Sequence, residues 1–176
     1  MKVKPSSKPE HVVHSDAASE NPSSARSLPG FKHILVAIDF SESGFSALDY
    51  ATALAQKFHS EVTLLHVVEP TVYSPNSLLG SPTMDEAGET LLAGARERLK
   101  KFKQRAATQG LAAEALVRMG RAQSDISDTA KAIGADLVVM GTHGHSGPRQ
   151  STLGGTAERV LRSSGCPVLA VPRPNP

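Results

Sequence analysis

Four short apolar runs constrain this chain more than anything else in it. They are His33-Ile34-Leu35-Val36-Ala37-Ile38-Asp39, Val62-Thr63-Leu64-Leu65-His66-Val67-Val68, Asp136-Leu137-Val138-Val139-Met140 and Pro167-Val168-Leu169-Ala170-Val171. None alternates apolar with polar residues, as a strand with one wet face would. Strands that are apolar on both sides belong to parallel sheets held between helical layers. Ala112 to Val117 is a fifth, less apolar candidate.

Helical patterns fill the gaps between these runs. Ser41-Glu42-Ser43-Gly44 offers hydroxyls suited to a helix N-cap, and Phe45, Leu48, Ala51, Thr52, Leu54, Ala55 and Phe58 follow at helical spacing. A second helix is expected from Asp85 to Gln109, with Leu91, Leu92, Ala95, Leu99, Phe102 and Ala106 on one stripe and Gly110 as its stop. Its cations, Arg96, Arg98, Lys100, Lys101, Lys103 and Arg105, read as a solvated face. A third helix spans Gln123 to Ile133 before Gly134, and a fourth Thr156 to Ser163. Strands and helices therefore alternate, which with right-handed crossovers gives an α/β, doubly wound, five-stranded parallel sheet in the order 3-2-1-4-5.

Composition marks the ends of this pattern. Residues 1–30 are rich in Ser, Pro, Lys and Glu and hold one apolar pair, Val12-Val13. Such a segment buries too little to offset its ordering entropy, so 1–30 is expected to be a disordered tail, 31–172 the folded domain and 173–176 a short C-terminal tail. The Pro/Gly/Ser-rich stretch 70–84 is expected to be a long loop of the kind that serves as a lid or binding loop.

Several function classes fall away. The chain holds 5 Phe, 2 Tyr and no Trp, too few rings for a base-stacking platform, and its net charge of +2 is no nucleic-acid footprint. No apolar run reaches the roughly 18–20 residues of a membrane span, and the N-terminus has no secretory apolar core. A single cysteine, Cys166, excludes an internal disulfide framework and fits a reducing, cytoplasmic setting. At the head of its strand, it reads as a small buried hydrophobe. His66, inside an apolar strand, reads as a satisfied core histidine.

In a doubly wound sheet a ligand binds beyond the carboxyl ends of the strands where the winding reverses. For this order the reversal lies between the first and fourth strands. The first is expected to end at Asp39 and the fourth at Met140, where a stretch with five glycines begins and runs from Gly141 to Gly155. Ordinary connections of this kind are about 2–6 residues long. The glycines allow close backbone approach to a ligand, and the helix start that follows favours an anion, typically a phosphate. No Lys-Ser/Thr pair follows the glycines as in a Walker A loop, and G-x-G-x-x-G is absent. His143 and His145 lack the carboxylate or Cys company of a metal site. Ser146, Ser151 and Thr152 read as polar loop residues and Arg149 as a phosphate contact or a solvated cation. No G-x-S-x-G elbow supports a nucleophilic serine.

These residues resemble the universal stress protein family of the nucleotide-binding kind. The resemblance covers about residues 31–172 and rests on Val36-Ala37-Ile38-Asp39-Phe40-Ser41-Glu42-Ser43, Leu65-His66-Val67-Val68, Gly141-x2-Gly144-x9-Gly154 and Cys166-Pro167-Val168-Leu169-Ala170-Val171. It implies a Rossmann-like fold of the adenine-nucleotide α-hydrolase type and a stress-response module that binds ATP, with or without Mg, as a dimeric sensor or switch with little or no hydrolysis. Asp39 would contact the ribose or base side and the Val67 backbone the adenine. Gly141, His143 and Gly144 would line the ribose and phosphate region, and Gly154, Gly155 and Thr156 would hold phosphates through backbone N–H groups. Ala37 and Met140 complete the expected set at the strand ends. No catalytic residue and no metal ligand is assigned. Where the family has Ser or Thr after the third glycine, this chain has Gly155, which loses a hydroxyl donor. That departure favours an alternative, a nucleotide-independent dimeric interaction module. A third reading, an adenylyl-transferring enzyme, would call for a Ser-Gly-Gly-x-Asp-Ser type loop after the first strand, where this chain has Asp39-Phe40-Ser41-Glu42-Ser43-Gly44. The last strand would be an apolar sheet edge, so a homodimer paired through Pro167–Val171 is expected.

Overall fold

The computed structural model describes residues 30–69, 84–144 and 153–173. The expected tail before residue 30, the loop from 70 and residues 174–176 lie outside the described residues, as do His145, Ser146, Arg149, Ser151 and Thr152. The elements run β1 (His33–Ala37), α1 (Glu42–Phe58), β2 (Glu61–Val68), α2 (Met84–Thr108), β3 (Ala113–Met119), α3 (Ala122–Ala132), β4 (Leu137–Gly141), α4 (Gly155–Ser163) and β5 (Val168–Val171). The five strands form one parallel sheet in the order β3-β2-β1-β4-β5.

Alternate residues of the inner strands feed two separate cores, as the two-residue period of a strand requires. Ile34, Val36, Val62, Leu64 and Val139 pack with Leu48, Ala51 and Ala55 of α1 and Leu99, Phe102 and Ala106 of α2. Leu35, Ala37, Leu65, Val138 and Met140 pack with Ile126 and Ala130 of α3 and Ala157 and Val160 of α4. This double burial is the physical reason for the continuous apolar runs.

Local signals set the helix ends. Ser41 caps α1, its hydroxyl accepting the Gly44 N–H at 3.1 Å. Gly110 (φ 79°) and Gly134 (φ 64°) take the left-handed turns after α2 and α3. His59 does the same after α1 at φ 56°, an end that carries no glycine signal.

Two expectations need correction. β1 stops at Ala37, two residues early, because Phe40 sits at φ 65° and turns the chain out of the strand. Leu91 is exposed where the helical stripe predicts burial. Gly88, nearly a turn earlier, already lies beside Met119 of β3, and the buried stripe runs through Leu92, Ala95, Leu99, Phe102 and Ala106, leaving Leu91 at its edge. The cations of α2 are all exposed, as expected, and two of them also have partners. Arg98 lies over the Phe40 ring at 4.0 Å, and Arg105 pairs with Asp49 at 2.9 Å.

Burial ranks the contributions. Leu48 is fully buried, so Leu48→Ala is expected to cost about 2–5 kcal/mol in denaturant unfolding. Arg162 pairs with Glu158 at 2.7 Å on an exposed face, so Arg162→Ala should cost less than about 0.5 kcal/mol. Equal losses would contradict this picture of where the stability resides.

Candidate functional site

β1 and β4 are neighbours, with Ala37 opposite Met140. Beyond those residues the two strands part. The Ile38 N–H bonds Leu65 of β2 at 2.8 Å, and the Thr142 N–H bonds Val171 of β5 at 2.9 Å. The chain leaves β1 for α1 on one face of the sheet and leaves β4 for α4 on the other. A cleft of about 1070 Å³ opens between them. Ala37, Asp39, Val67, Met140, Gly141, Gly144, Gly154, Gly155 and Thr156 all line it. His143 is the exception among the expected residues. Its carbonyl turns to the hydroxyls of Ser41 and Ser43, and its Nδ1 lies 2.9 Å from Thr142 Oγ1. A smaller cavity of about 400 Å³ lies elsewhere, between α2 and β3.

Asp39 is held rather than loose. Its Oδ1 accepts from the Ser41 N–H at 3.0 Å and the Ser41 hydroxyl at 2.5 Å. A Cβ on Gly44 would lie 2.8 Å from Oδ1, and a Cβ on Gly144 would lie 2.8 Å from Oδ2. The carboxylate thus fits between two positions that lack side chains. Gly141 is needed for a similar reason: a Cβ there would lie 2.6 Å from Ser43 Oγ and 3.1 Å from the Ser43 backbone. Asp39 is not the cap of α1; Ser41 is.

The far wall is the start of α4. Gly154 is its N-cap and supplies no side-chain hydrogen bond to the first turn. The Gly154 N–H bonds the Thr142 carbonyl at 2.7 Å, which ties the helix start to the end of β4. Uncapped first-turn amides at the positive end of a helix dipole suit an anion. A Cβ on Gly155 would meet nothing within 4 Å. The side chain missing there leaves open space, not a contact filled by another residue.

His66, expected in the core, is half-buried, belongs to neither core cluster and lines the cleft. Its Nδ1 is 2.7 Å from the Ile38 carbonyl, which only accepts, so Nδ1 carries the proton and donates. Its ring packs on Phe40 with centroids 4.2 Å apart. Cys166 is half-buried against the α3/α4 core, its Sγ 3.4 Å from Ser164 Oγ.

Sequence reasoning missed the side of the cleft next to β3. Gly120, Arg121 and Gln123 line it at the start of α3, together with Glu69 and Arg159. Glu69 Oε1 accepts the Ala122 N–H at 2.8 Å, and Arg159 donates to Gln123 Oε1. A glycine directly after a strand, as Gly120 is, was the one available signal. Among the described residues no group of three or more His, Cys, Asp or Glu is placed to hold a metal.

Burial, together with the nearby Arg98 charge, outweighs the raising effects of the Ile38 carbonyl and Asp39 and lowers the His66 pKa below its ordinary value of 6.5. The unfolded chain then binds the proton first as pH falls. His66 therefore adds stability that is complete above pH 6.5 and is lost as pH drops through the folded-state value. His66→Asn should lose less melting temperature than the parent between pH 7.5 and 5.0; an unchanged loss would contradict the assignment.

Comparison with known proteins agrees with this fold. The family model described as "Universal stress protein family" matches residues 30–172. Universal stress protein YxiE of Bacillus subtilis is 34% identical over 146 residues, covering 80% of this chain and 99% of its own. The solved structure of MJ0577, a protein of Methanocaldococcus jannaschii, superposes with a TM-score of 0.74 at 28% identity, covering 84% of this chain and 100% of that one. A universal stress protein from Archaeoglobus fulgidus, solved in complex with dAMP, has the same fold at a TM-score of 0.59 and 19% identity, covering 81% and 99% of the two chains. With the family model spanning nearly every described residue, this chain belongs to the universal stress protein family.

Proposed function

We propose that the cleft between β1 and β4 binds an adenine nucleotide, and that residues 31–172 form a nucleotide-dependent stress-response module. The observation that carries this reading is the convergence of Asp39 with Gly141, Gly144, Gly154 and the uncapped start of α4 on one cleft. The three glycines keep the Gly141-x2-Gly144-x9-Gly154 spacing, and each sits where a Cβ would crowd a neighbour at under 3 Å. The dAMP complex of the Archaeoglobus protein supports the reading, since a protein of this fold holds an adenine mononucleotide.

In this reading the base lies against Val67 at the end of β2, Asp39 faces the ribose, and the first turn of α4 takes the phosphates. ATP, with or without Mg, is the proposed ligand. No residue is given the role of general base, so turnover is expected to be absent or slow and the protein acts as a sensor or switch. Among the described strands β5 pairs only with β4. We take its open edge as the surface for a homodimer, in which a second copy of Val168–Val171 continues the sheet. No helix among the described residues is long and apolar enough to cross a membrane, and a cytoplasmic location is proposed with the single Cys166.

Gly155 favours a second reading, in which the module dimerises without a nucleotide. Calorimetry separates the two. AMP and Mg-ATP should each give saturable heat at up to millimolar ligand. Gly155→Ser places a hydroxyl in open space beside the phosphates and should tighten Mg-ATP by about three- to tenfold, the worth of one hydrogen bond, with less effect on adenosine. No heat with any nucleotide, from protein that still dimerises, would overturn the nucleotide reading in favour of the second.

A further inference from the structure

We propose that Ser43 is a positioning residue for the nucleotide site, acting with Ser41 as a brace that holds the His143–Gly144 backbone against the first-strand loop. The proposal rests on the nucleotide reading above.

Sheet hydrogen bonds cannot do this work. The β1/β4 register ends at Ala37 and Met140, and past it the two chains bond to opposite neighbours. The loops that carry Asp39 and Gly144 must be joined by other means if they are to contact one ligand together.

Two buried hydroxyls make that join. Ser43 is 2% exposed and Ser41 5%. Their oxygens are 2.9 Å apart. The Asp39 carboxylate and the His143 carbonyl only accept, and each hydroxyl has one proton to give. The assignment that satisfies both acceptors has Ser41 donating to Asp39 Oδ1 at 2.5 Å and Ser43 donating to the His143 carbonyl. Ser41 Oγ then accepts the Gly44 N–H at 3.1 Å. The chain of contacts runs from the carboxylate in the cleft, through the first turn of α1, to the backbone of the Gly-rich loop.

Neither serine lines the cleft. Their effect on a ligand is therefore indirect. Oδ1 of Asp39 is engaged by Ser41, which leaves Oδ2 beside Gly144 and the cleft. Ser43 fixes the peptide that precedes Gly144 and fills the space that Gly141 leaves open. Removing the Ser43 hydroxyl would take away its hydrogen bond to the His143 carbonyl and loosen the His143–Gly144 backbone against α1. The base contacts at Val67 lie on β2 and would not move.

The test is the split between ligands with and without a phosphate. Ser43→Ala should weaken AMP binding about tenfold, the worth of one buried hydrogen bond, and adenosine binding by less than about threefold. Amide hydrogen exchange at His143 and Gly144 should speed up. Thr52→Ala is the control. It removes another buried α1 hydroxyl, bonded to the Leu48 carbonyl at 2.8 Å and outside the cleft. It should lower the melting temperature without changing the AMP-to-adenosine ratio. If Ser43→Ala changes stability alone, or weakens both ligands equally, the brace is overturned. If the unaltered protein binds neither ligand, the nucleotide reading fails and the proposal fails with it.

Discussion

The structure depends on one topological constraint: β1 and β4 lie side by side, but the chain leaves them on opposite faces of the sheet. Right-handed crossovers force this wherever a sheet is wound outward in both directions. The consequence is local and chemical. Past Ala37 and Met140 no ladder remains between the two strands, and the backbone of each is drawn toward a different neighbour. A cleft forms without any side chain having to line up to make it. Asp39, the glycines and the start of α4 then decide what the cleft can hold.

Three aromatic residues, Phe40, Phe45 and Phe102, pack together behind the turn that carries Asp39, whereas Phe31 and Phe58 pair with each other. Phe40 is a bulky residue in left-handed backbone, a conformation that costs energy and must be held by its surroundings. Those surroundings are explicit. Phe40 is 9% exposed, with His66 at 4.2 Å, Phe102 at 5.5 Å and the Arg98 guanidinium at 4.0 Å from its ring. Phe102 in turn stacks on Phe45 at 4.2 Å. The strained turn that aims Asp39 into the cleft is thus clamped by α1, α2 and β2 together. Such a turn fixes the carboxylate before any ligand arrives, which reduces the ordering that binding requires.

Much of this was legible in the chain, for identifiable reasons. Strands buried on both faces leave continuous apolar runs, so β1, β2 and β4 could be read directly, as could the apolar but mostly half-buried edge strand β5, and with them the switch point. Gly110 and Gly134 announced helix ends because left-handed backbone favours glycine. His59 and Phe40 take the same backbone without glycine, so neither was visible. The basic residues of α2 looked alike in sequence, yet Arg98 and Arg105 engage Phe40 and Asp49, partners more than 50 residues away that no helical period encodes. The β3 side of the cleft was missed for the same reason. Arg121 and Gln123 sit at the start of α3 and Arg159 on α4, two helices packed on the same face of the sheet, and only the fold brings them together. The Ser43 link was hidden because a serine after a cap reads as part of the cap.

The central claim is that a nucleotide occupies the cleft at the switch point. An amide chemical-shift titration of the 176-residue chain with AMP tests it most directly. The account predicts that the largest shifts fall on Asp39, Val67, Gly141, Gly144, Gly154, Gly155 and Thr156. Absence of saturable shifts, or shifts centred on the α2/β3 cavity around Lys100 and Val117, would contradict it.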